Sequence, residues 1–492
     1  MSKSMASGAA AAALILAVGN HAQAFVPAGS TANNSRWQST ASGSTGQAGD
    51  PITLTWSFVP DGTSVAEIGS GFEASSLIAS LDAQFGSGRG GSDLTQRPWF
   101  TLFEQSFDRI AELAGVTYVY EPNDTTQTHG TGSGVLGLRG DVRIGGIGMD
   151  GSGGTLAYNY FPSGGADMAI DVNDIAGFFA NSSNNYRRLR NTIMHEAIHG
   201  LGLDHSSSNN AAFLMEASIN TSFDGPQHDD LRGLHWMYGD VLEKAPTGRN
   251  ETQATATVLG ELTPAVGLTI GAGGSGTVVG GSETDFVSVS NENDTDFFAF
   301  TVSEPASITA TMTPRGANFN QTTQPFVTTE TSDLSLALFG PSGASPIAAS
   351  TGGAAGVTET INGLLITEPG TYYARIDSAS SASGQVTQFY QLDLTAIATV
   401  TGDYNFDGSV DTDDYNLWRQ QFGAVGAGFA ADGNRDKQVD GADYAVWRNN
   451  LTFAAAAALT ASSAPEPSAV LLVAGVTPAL VARQATRRCR RA

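Results

Sequence analysis

Three histidines and one glutamate occur close together in a stretch whose spacing suits a metal ion. His195 and His199 are four residues apart, so they lie on one helix face and both imidazole rings can reach a single ion. Glu196 lies beside them, where it can contact a metal-bound water. Gly202 allows the chain to leave the helix and return His205 as a third ligand. Three protein ligands leave one position open for water, so the sequence predicts a catalytic zinc site.

The complete motif resembles the zinc-binding signature of the metzincin peptidases. That family has a methionine turn beneath the zinc, and Met215 lies at a suitable distance along the chain. Two further segments, 150–157 and 229–239, resemble the parts of matrixin catalytic domains that precede and follow the active-site helix. The resemblance spans about 50–240. It implies a zinc metalloendopeptidase that hydrolyses protein or peptide substrates through a zinc-activated water, with Glu196 as the general base.

The resemblance also assigns a place for extended substrate, and two departures from it matter. A strand that contains Gly154, Leu156 and Ala157 would pair with the substrate as an added strand. Matrixins hold a second, structural zinc through histidines, but the matching positions here are Tyr158 and Ala169, so we expect one zinc only. The methionine turn also lacks the proline that usually follows the methionine, which leaves the side-chain preference open.

Oxygen donors near the same segment resemble the calcium site of matrixins. Hard oxygen ligands suit Ca²⁺. The alternative is a polar turn whose acidic side chains are simply solvated. The positions that match the family's ligands are Asp150, Gly151, Gly153, Thr155, Asp171 and Asp174.

Two related acidic loops, each followed by a helical pattern that ends in Trp-Arg, lie near the C-terminal end. Both have the spacing of an EF-hand calcium loop, although the last ligand is aspartate instead of glutamate. The donors of the first loop are Asp403, Asn405, Asp407, Ser409, Asp411 and Asp414. Those of the second are Asp432, Asn434, Asp436, Gln438, Asp440 and Asp443. The duplication resembles a type I dockerin, which implies a cohesin-type partner; structural calcium without a partner is the alternative.

The elements that must position these residues divide the chain into several domains. Residues 50–242 mix strands and helices and form the expected α/β matrixin-like domain. Residues 246–398 carry short alternating strands typical of an all-β sandwich and resemble the bacterial pre-peptidase C-terminal domain. Residues 400–452 are expected to form a small α-helical, dockerin-like EF-hand pair, and the alanine-rich residues 453–463 a linker.

Both ends of the chain resemble targeting signals. Residues 1–24 have a basic residue, an apolar run and a small-x-small cleavage site, which predicts a secretory signal peptide. Residues 25–49, rich in small and polar residues, are expected to be a disordered lead-in. Residues 464–492 resemble the PEP-CTERM sorting signal, which implies an exosortase-type sorting enzyme and an extracellular or cell-surface location.

The net charge and the cysteine content exclude some classes of function and mechanism. The 492-residue chain has a formal net charge of -24, which argues against nucleic acid as a partner. The one cysteine, Cys489, excludes an intrachain disulfide and a propeptide cysteine that caps the zinc. We therefore expect an exported zinc endopeptidase. The alternative is a calcium-dependent surface adhesion or assembly protein with an inactive peptidase fold, which the intact Glu196 disfavours.

Overall fold

The computed structural model describes residues 25–451, apart from 68–70, 131–132, 207, 209–212, 246–247, 275–277, 322–323, 342, 379–386 and 427–428. The chain forms two compact units, one that ends at Thr399 and one that begins at Val400. The expected signal peptide (1–24), linker (453–463) and sorting signal (464–492) lie outside the described residues. Within the described part, no helix combines the length and the apolar character needed to span a bilayer.

The first unit contains a mixed sheet built from five strands of the described chain. Their order across the sheet is Val116–Tyr120, Ile52–Phe58, Val142–Ile147, Met168–Asp171 and Ala157–Asn159. The first four strands are parallel, and Ala157–Asn159 is antiparallel to its neighbour at the edge. The alternating residues 52–58 predict a strand, and the structure confirms it as Ile52–Phe58, which buries Leu54, Trp56 and Phe58.

Helices cover this sheet, and their apolar faces explain their packing. The α-helices of the first unit's described residues are Ala32–Ser35, Leu77–Phe85, Phe100–Ala111, Arg187–Leu201 and His228–Tyr238. Short 3-10 helices are Leu94–Gln96, Pro162–Gly164, Val172–Asp174, Val241–Lys244 and Thr328–Glu330. The spacing of apolar residues predicts a helix at 99–114, and the structure confirms a helix there, Phe100–Ala111, with Phe103 and Phe107 buried on one face. The ring of Phe107 lies 4.8 Å from that of Trp56 in the sheet.

The structure differs from the expectation of a disordered lead-in at 25–49. Phe25 and Trp37 are buried in the same core as the sheet and helices. Val26–Pro27 pairs antiparallel with Leu203–Asp204, directly before the third histidine of the motif. The Nε1 atom of Trp37 donates a hydrogen bond to the carbonyl oxygen of Gly200, at 2.9 Å. Two aromatic anchors therefore order a segment whose average composition resembles disorder, because each aromatic side chain buries a large apolar area.

The short remaining strands of this part form small hairpins. Ser39–Thr40 pairs with Gly43–Ser44, and Ser64–Ala66 pairs with Phe72–Ala74.

The β-rich part of the first unit contains two mostly antiparallel sheets that pack face to face, as the sequence predicts for an all-β sandwich. The first has the strand order Thr257–Glu261, Thr295–Val302, Gly370–Ser378, Leu334–Phe339 and Pro346–Ser350. The second has the order Leu268–Ile270, Gln388–Ala398, Ala306–Arg315 and Glu359–Ile366, and Val287–Val289 also pairs with Gln388–Ala398. Phe298 and Phe300 of the first sheet share one buried cluster with Ile308 and Leu392 of the second. A separate hairpin joins Asn318–Gln321 to Gln324–Val327.

The sandwich packs directly against the helix His228–Tyr238. The Nε2 atom of His228 lies 3.0 Å from the carbonyl oxygen of Gly274, and the Nδ1 atom of His235 lies 2.8 Å from the hydroxyl of Ser288. Phe389 belongs to the core of the α/β part although it lies on a sandwich strand. The two parts therefore share buried contacts, and the first compact unit includes both.

Arg249 neutralises a buried acidic group at this junction. Its guanidinium lies 2.9 Å from Glu243 of the α/β part and 3.0 Å from Asp294 of the sandwich. It also reaches Asp50, at 2.8 Å. Burial, together with Asp294, raises the pKa of Glu243 to about 9. Glu243 and Asp294, with Asp296, also bring one carboxylate oxygen each within 4.8 Å of one another. Arg249 supplies a positive charge beside the first two of these carboxylates, and the hydroxyl of Tyr390 donates to Asp296.

The second unit contains two helices, and a tryptophan on each helix makes the same hydrogen bond to the loop of the other repeat. The helices are Thr412–Gln421 and Gly441–Asn450. The Nε1 atom of Trp418 donates to the carbonyl oxygen of Asp440, at 2.9 Å, and that of Trp447 donates to the carbonyl oxygen of Asp411, at 2.7 Å. Each tryptophan thus anchors the loop of the other repeat. This reciprocal contact accounts for the Trp-Arg ending that the two sequence copies share.

Candidate metal centre

The helix Arg187–Leu201 ends at Gly202, where the backbone conformation and a close neighbouring peptide both require glycine. Gly202 has φ +108, in the left-handed region that favours glycine. A Cβ atom at this position would lie 2.2 Å from the carbonyl oxygen of Ser35, so a side chain would clash with backbone. The turn at Gly202 lets the chain reverse through Leu203–Asp204 and bring His205 back toward the helix.

The three predicted histidines converge through their Nε2 atoms. The Nε2 atom of His205 lies 3.2 Å from that of His195 and 3.1 Å from that of His199. Two nitrogen atoms bound tetrahedrally to zinc at the usual ~2.0–2.1 Å lie about 3.3 Å apart. The three side chains therefore fit a single zinc ion. His195 and His199 are buried and His205 is exposed, which leaves one side of the centre open.

Backbone carbonyls hold the two helical histidines in the tautomer that a metal requires. The Nδ1–H group of His195 donates to the carbonyl oxygen of Leu214, at 2.7 Å, and that of His199 donates to the carbonyl oxygen of Leu203, also at 2.7 Å. Each Nε2 lone pair therefore faces the centre. Burial lowers the pKa of His195 to about 3 and that of His199 to about 4, so both rings are neutral at pH 7.

Glu196 lies beside the histidines with an unsatisfied oxygen. Its side chain is 6% exposed, and its Oε2 atom has no hydrogen-bond partner among the described residues. Burial raises the pKa of this carboxyl to about 8. Buried polar atoms nearly always have a partner, so this oxygen, on the residue that follows His195 in the helix, is available to a ligand.

Met215 lies in a turn that backbone hydrogen bonds connect to the histidine centre. Its side chain is buried, and its carbonyl oxygen accepts a hydrogen bond from the backbone N–H of Ser206, at 2.9 Å. The backbone N–H groups of Leu214 and Met215 both donate to the carboxylate of Asp230, at 2.8 and 3.2 Å. Asp230 therefore supports the turn that orients His195.

Reasoning from the sequence did not assign this role to Asp230. The available signal is the pair of adjacent acids, Asp229 and Asp230, at the start of the helix His228–Tyr238. An aspartate in the first turn of a helix usually caps its own helix. Asp230 does so by accepting from the N–H of Gln227, at 2.8 Å, but it also binds the distant turn, which local spacing does not reveal.

The strand predicted to hold substrate is shorter than expected and begins later. The spacing predicts a strand at 155–161, but the observed strand is Ala157–Asn159, so Gly154 and Leu156 precede it. It lies at the sheet edge, paired on one side with Met168–Asp171. An added strand requires an unpaired edge of this kind.

The residues expected to bind calcium near this strand form a compact loop. The carboxylate of Asp150 accepts from the N–H of Thr155, at 2.9 Å, and that of Asp174 accepts from the N–H of Gly153, at 3.0 Å. The Oδ2 atoms of Asp171 and Asp174 are buried without a partner among the described residues. Asp150, Asp171 and Asp174 are not among the described groups whose three ligand atoms lie within 4.8 Å of one another.

The positions that replace the structural-zinc histidines serve other contacts. The hydroxyl of Tyr158 donates to the carbonyl oxygen of Ala66, at 2.5 Å. Ala169 is buried in a small apolar cluster with Val65 and Ile147.

The two acidic loops of the second unit have matching internal hydrogen bonds. Asp403 accepts from the N–H of Gly408, at 2.9 Å, and Asp432 accepts from the N–H of Lys437, at 2.8 Å. Lys437 has φ +69 where the first loop has glycine. The last acid of each loop likewise caps its helix: Asp414 accepts from Asp411 and Asp443 from Asp440, both at 2.8 Å. The two loops therefore share one hydrogen-bond pattern, but their acids are not among the described groups whose three ligand atoms lie within 4.8 Å of one another.

Comparisons with known proteins agree with this geometry. Residues 139–239 match the matrixin family model. The matrixin segment includes the three histidines, Glu196, Met215 and Asp230. Matrix metalloproteinase-15 from Homo sapiens is 38% identical over 96 residues, which cover 18% of this chain and 14% of that protein. Over residues 139–239, the family match indicates a metallopeptidase-type domain and implies a catalytic zinc.

A second family model matches the β-rich part. Residues 294–378 match the bacterial pre-peptidase C-terminal domain, a narrower range than the predicted 246–398. Among solved structures, the pre-peptidase C-terminal domain of collagenase from Bacillus anthracis has 13% identity, with 28% of this chain and 94% of that chain covered and a TM-score of 0.18. The GM1-bound ECX AB5 holotoxin has 13% identity, coverages of 38% and 84%, and a TM-score of 0.22. TM-scores this low do not establish a shared fold.

Proposed function

We propose that this chain is an exported zinc-dependent endopeptidase that hydrolyses peptide bonds in proteins. The observation that carries the proposal is that the Nε2 atom of His205 lies 3.1–3.2 Å from the Nε2 atoms of His195 and His199, while the adjacent residue Glu196 has a buried carboxylate oxygen without a partner among the described residues. A zinc ion held there would polarise the substrate carbonyl and make water a better nucleophile by lowering its pKa toward ~7.

The chain's own residues would supply the proton transfers and the orientation. Glu196 is the general base: its Oε2 atom takes a proton from the attacking water and delivers it to the nitrogen of the leaving amine. The Leu203 and Leu214 carbonyls keep His199 and His195 fixed, so neither ring needs to reorient during the reaction. The tight packing around the helix excludes bulk water from one side of Glu196.

The sheet edge offers a binding site for the substrate backbone. Ala157–Asn159 forms hydrogen bonds along one edge only within the described sheet, so an extended peptide can add beside it. The adjacent residues Gly154 and Leu156 would extend that contact. Substrate recognition through backbone atoms suits an endopeptidase that cleaves within long chains.

The test combines metal analysis with one variant. The purified full chain should contain about one zinc and lose caseinolysis on chelation, with activity restored by added zinc. Glu196→Ala should abolish caseinolysis while zinc remains bound, because the three ligands are intact. Glu104→Ala, on an exposed position of the helix Phe100–Ala111, is the matched control and should keep activity. Retained caseinolysis in Glu196→Ala would refute Glu196 as the general base. No caseinolysis by the unmodified, zinc-loaded chain would refute the peptidase assignment in favour of an adhesion or assembly role.

We also propose that the remaining signals serve export and calcium binding. The signal peptide would be removed after Ala24, and an exosortase-type enzyme would act on residues 464–492. The catalytic part would hold Ca²⁺ at Asp171 and Asp174, whose buried Oδ2 atoms need a positive partner. The paired loops of the second unit would bind Ca²⁺ and, as in dockerins, a cohesin-type partner. N-terminal sequencing of the exported protein tests the first point, and an intact Met1 would contradict it.

A further inference from the structure

A hairpin of the sandwich part reaches the neighbourhood of the zinc ligands. It consists of Asn318–Gln321 and Gln324–Val327, and Phe319 lies opposite Phe326 in the antiparallel register. Its base is closed by the hydroxyl of Thr328, which donates to the carbonyl oxygen of Ala317, at 2.7 Å. The hairpin belongs to neither sheet of the sandwich, so its position depends on what it packs against.

What it packs against is the chain segment between the third histidine and the methionine turn. The ring of Phe319 lies 4.9 Å from the ring of Phe213, at an interplanar angle of 68°. These two rings, with Ala317 and Phe326, form a buried cluster separate from both main cores. The hydroxyl of Ser208 also donates to the carbonyl oxygen of Asn320, at 3.4 Å.

A second set of contacts fixes the hairpin to the helix that supports the turn. The guanidinium of Arg232 lies 4.8 Å from the centre of the Phe326 ring, and Arg232 is itself paired with Asp229, at 3.1 Å. The ring of His228 lies 6.3 Å from that of Phe319. The hairpin is therefore held from the helix side, and it holds Phe213 from the other side.

Phe213 is connected directly to a zinc ligand through the backbone. The next residue, Leu214, offers the carbonyl oxygen that accepts from the Nδ1–H group of His195. Phe213 is completely buried, so any shift of its ring moves the adjacent peptide as well. The path from the sandwich to the metal centre thus has three steps: Phe319 to Phe213, Phe213 to the Leu214 carbonyl, and that carbonyl to His195.

We propose that Phe319, on the sandwich hairpin, is a positioning residue of the zinc centre and acts through Phe213 on the carbonyl that orients His195. The inference rests on the proposed zinc-dependent function of the same site. It gives the β-rich part a specific role, because the orientation of the first zinc ligand then depends on a residue more than a hundred positions away in the chain. Within the described residues, the ring contacts of Phe319 are with Phe213 and His228, so its effect is on ligand geometry and not on substrate contact.

The test compares three variants of the full chain. Phe319→Ala removes the ring that holds Phe213, and Phe319→Leu keeps most of the apolar volume. Phe297→Ala is the matched control, because Phe297 is a buried sandwich phenylalanine that packs against Phe339 in a different cluster. Two quantities are measured: amide hydrogen exchange of residues 213–216 in the metal-free protein, and the zinc dissociation constant by chelator competition.

Phe319→Ala should accelerate exchange at residues 213–216 and weaken zinc binding by about tenfold, as loss of support for a ligand does. Phe319→Leu should restore most of both values, and Phe297→Ala should leave both unchanged. On casein, Phe319→Ala should lower kcat with little change in KM. Equal exchange and equal zinc affinity in Phe319→Ala and Phe297→Ala would overturn the proposal. If Phe319→Ala does not fold, Phe319→Val, which removes the ring that contacts Phe213 but keeps a strand-forming apolar side chain, decides: exchange and affinity equal to those of Phe297→Ala then refute the proposal.

The exchange and affinity measurements do not require peptidase activity. A chain that shows these effects but cleaves nothing would refute the proposed function and leave the positioning role intact. A chain that cleaves casein without these effects would refute the positioning role and leave the proposed function intact.

Discussion

The Nδ1–H group of His195 donates to the carbonyl oxygen of Leu214 at 2.7 Å, which ties the first zinc ligand to the turn that contains Met215. The same turn is held from its other side by Asp230, which accepts from the N–H groups of Leu214 and Met215. Asp230 and His195 do not need to touch, because one peptide group connects them. The orientation of the ligand therefore depends on a carboxylate in another helix.

Replacing Asp230 with asparagine should weaken zinc binding. The asparagine amide group can accept one of the two turn N–H groups but presents an NH₂ to the other, so the Leu214 carbonyl shifts. Loss of such outer support typically costs about 10–100-fold in metal affinity. Zinc affinity is measured by chelator competition at pH 7.

Asp108→Asn is the control for that substitution. Asp108 lies on an exposed position of the helix Phe100–Ala111, so the same chemical change there should leave zinc affinity as it is. If Asp230→Asn binds zinc as tightly as the control, the turn does not need the carboxylate.

His235 should make the first unit sensitive to acid. Burial lowers the pKa of His235 to about 4, below the ordinary value of 6.5, so the folded chain holds this ring neutral. The stability from His235 is complete above pH ~6.5 and is lost as the pH falls from 6.5 toward 4, since the unfolded chain then binds the extra proton. Between pH 7 and pH 5 the loss is about 2 kcal/mol.

The measurement is urea unfolding of the chain and of His235→Asn at both pH values. The variant loses the contact with Ser288 and should be less stable at pH 7, but its stability should fall less between pH 7 and pH 5. Other groups titrate equally in both proteins, so the comparison isolates His235. Parallel pH dependence in the two proteins would show that the ring is not held neutral.

Local patterns predicted most of the elements that carry the zinc site. The helix around His195 and His199, the turn at Gly202 and the return of His205 follow from spacing and backbone freedom alone. The strand Ile52–Phe58 follows from alternation. These features depend on residues close together in the chain, where helix and strand periods apply directly.

The features that escaped prediction depend on distant contacts or on a few anchors. Asp230 supports a turn fifteen or sixteen positions earlier, and Phe319 packs on Phe213 from another part of the unit. Neither contact can be inferred from the helical or strand periodicity of the sequence. Phe25 and Trp37 order a segment whose average composition suggests disorder, because two buried aromatic side chains outweigh many small polar ones.

Replacing Arg249 with glutamine should destabilise the first unit. The guanidinium lies 3.0 Å from Asp294 of the sandwich and 2.9 Å from Glu243 of the α/β part, and both acids are buried. Removing the arginine leaves Asp294 without its cationic partner, and loss of one partner of a buried ion pair costs about 3 kcal/mol. Arg375→Gln is the control, since Arg375 pairs with Asp377 at a more exposed position and should cost less than about 1 kcal/mol. Urea unfolding at pH 7 measures the free energy of unfolding of both variants. Equal losses of stability would contradict a special role for Arg249 at the junction of the α/β part and the sandwich.

The two loops of the second unit should bind Ca²⁺ with unequal affinity. Gly408 takes the left-handed conformation of the first loop without strain, whereas Lys437 adopts φ +69 in the second and adds a positive charge beside the ligands. Titration calorimetry of residues 400–452 should therefore resolve a tighter and a weaker site. This segment corresponds to the separate second unit. Helix content, followed by circular dichroism, should rise as calcium binds.

Single variants assign the two sites. Asp403→Ala should remove the tighter site and Asp432→Ala the weaker one, because each acid opens its loop and accepts from the residue at the turn. Asp413→Ala is the control: Asp413 is an exposed acid in the first turn of a helix, outside the predicted ligand set. Lys437→Gly should strengthen the weaker site, since glycine favours the observed backbone and removes the cation. No heat and no gain of helix on adding calcium would show that the loops hold their acids by backbone hydrogen bonds alone.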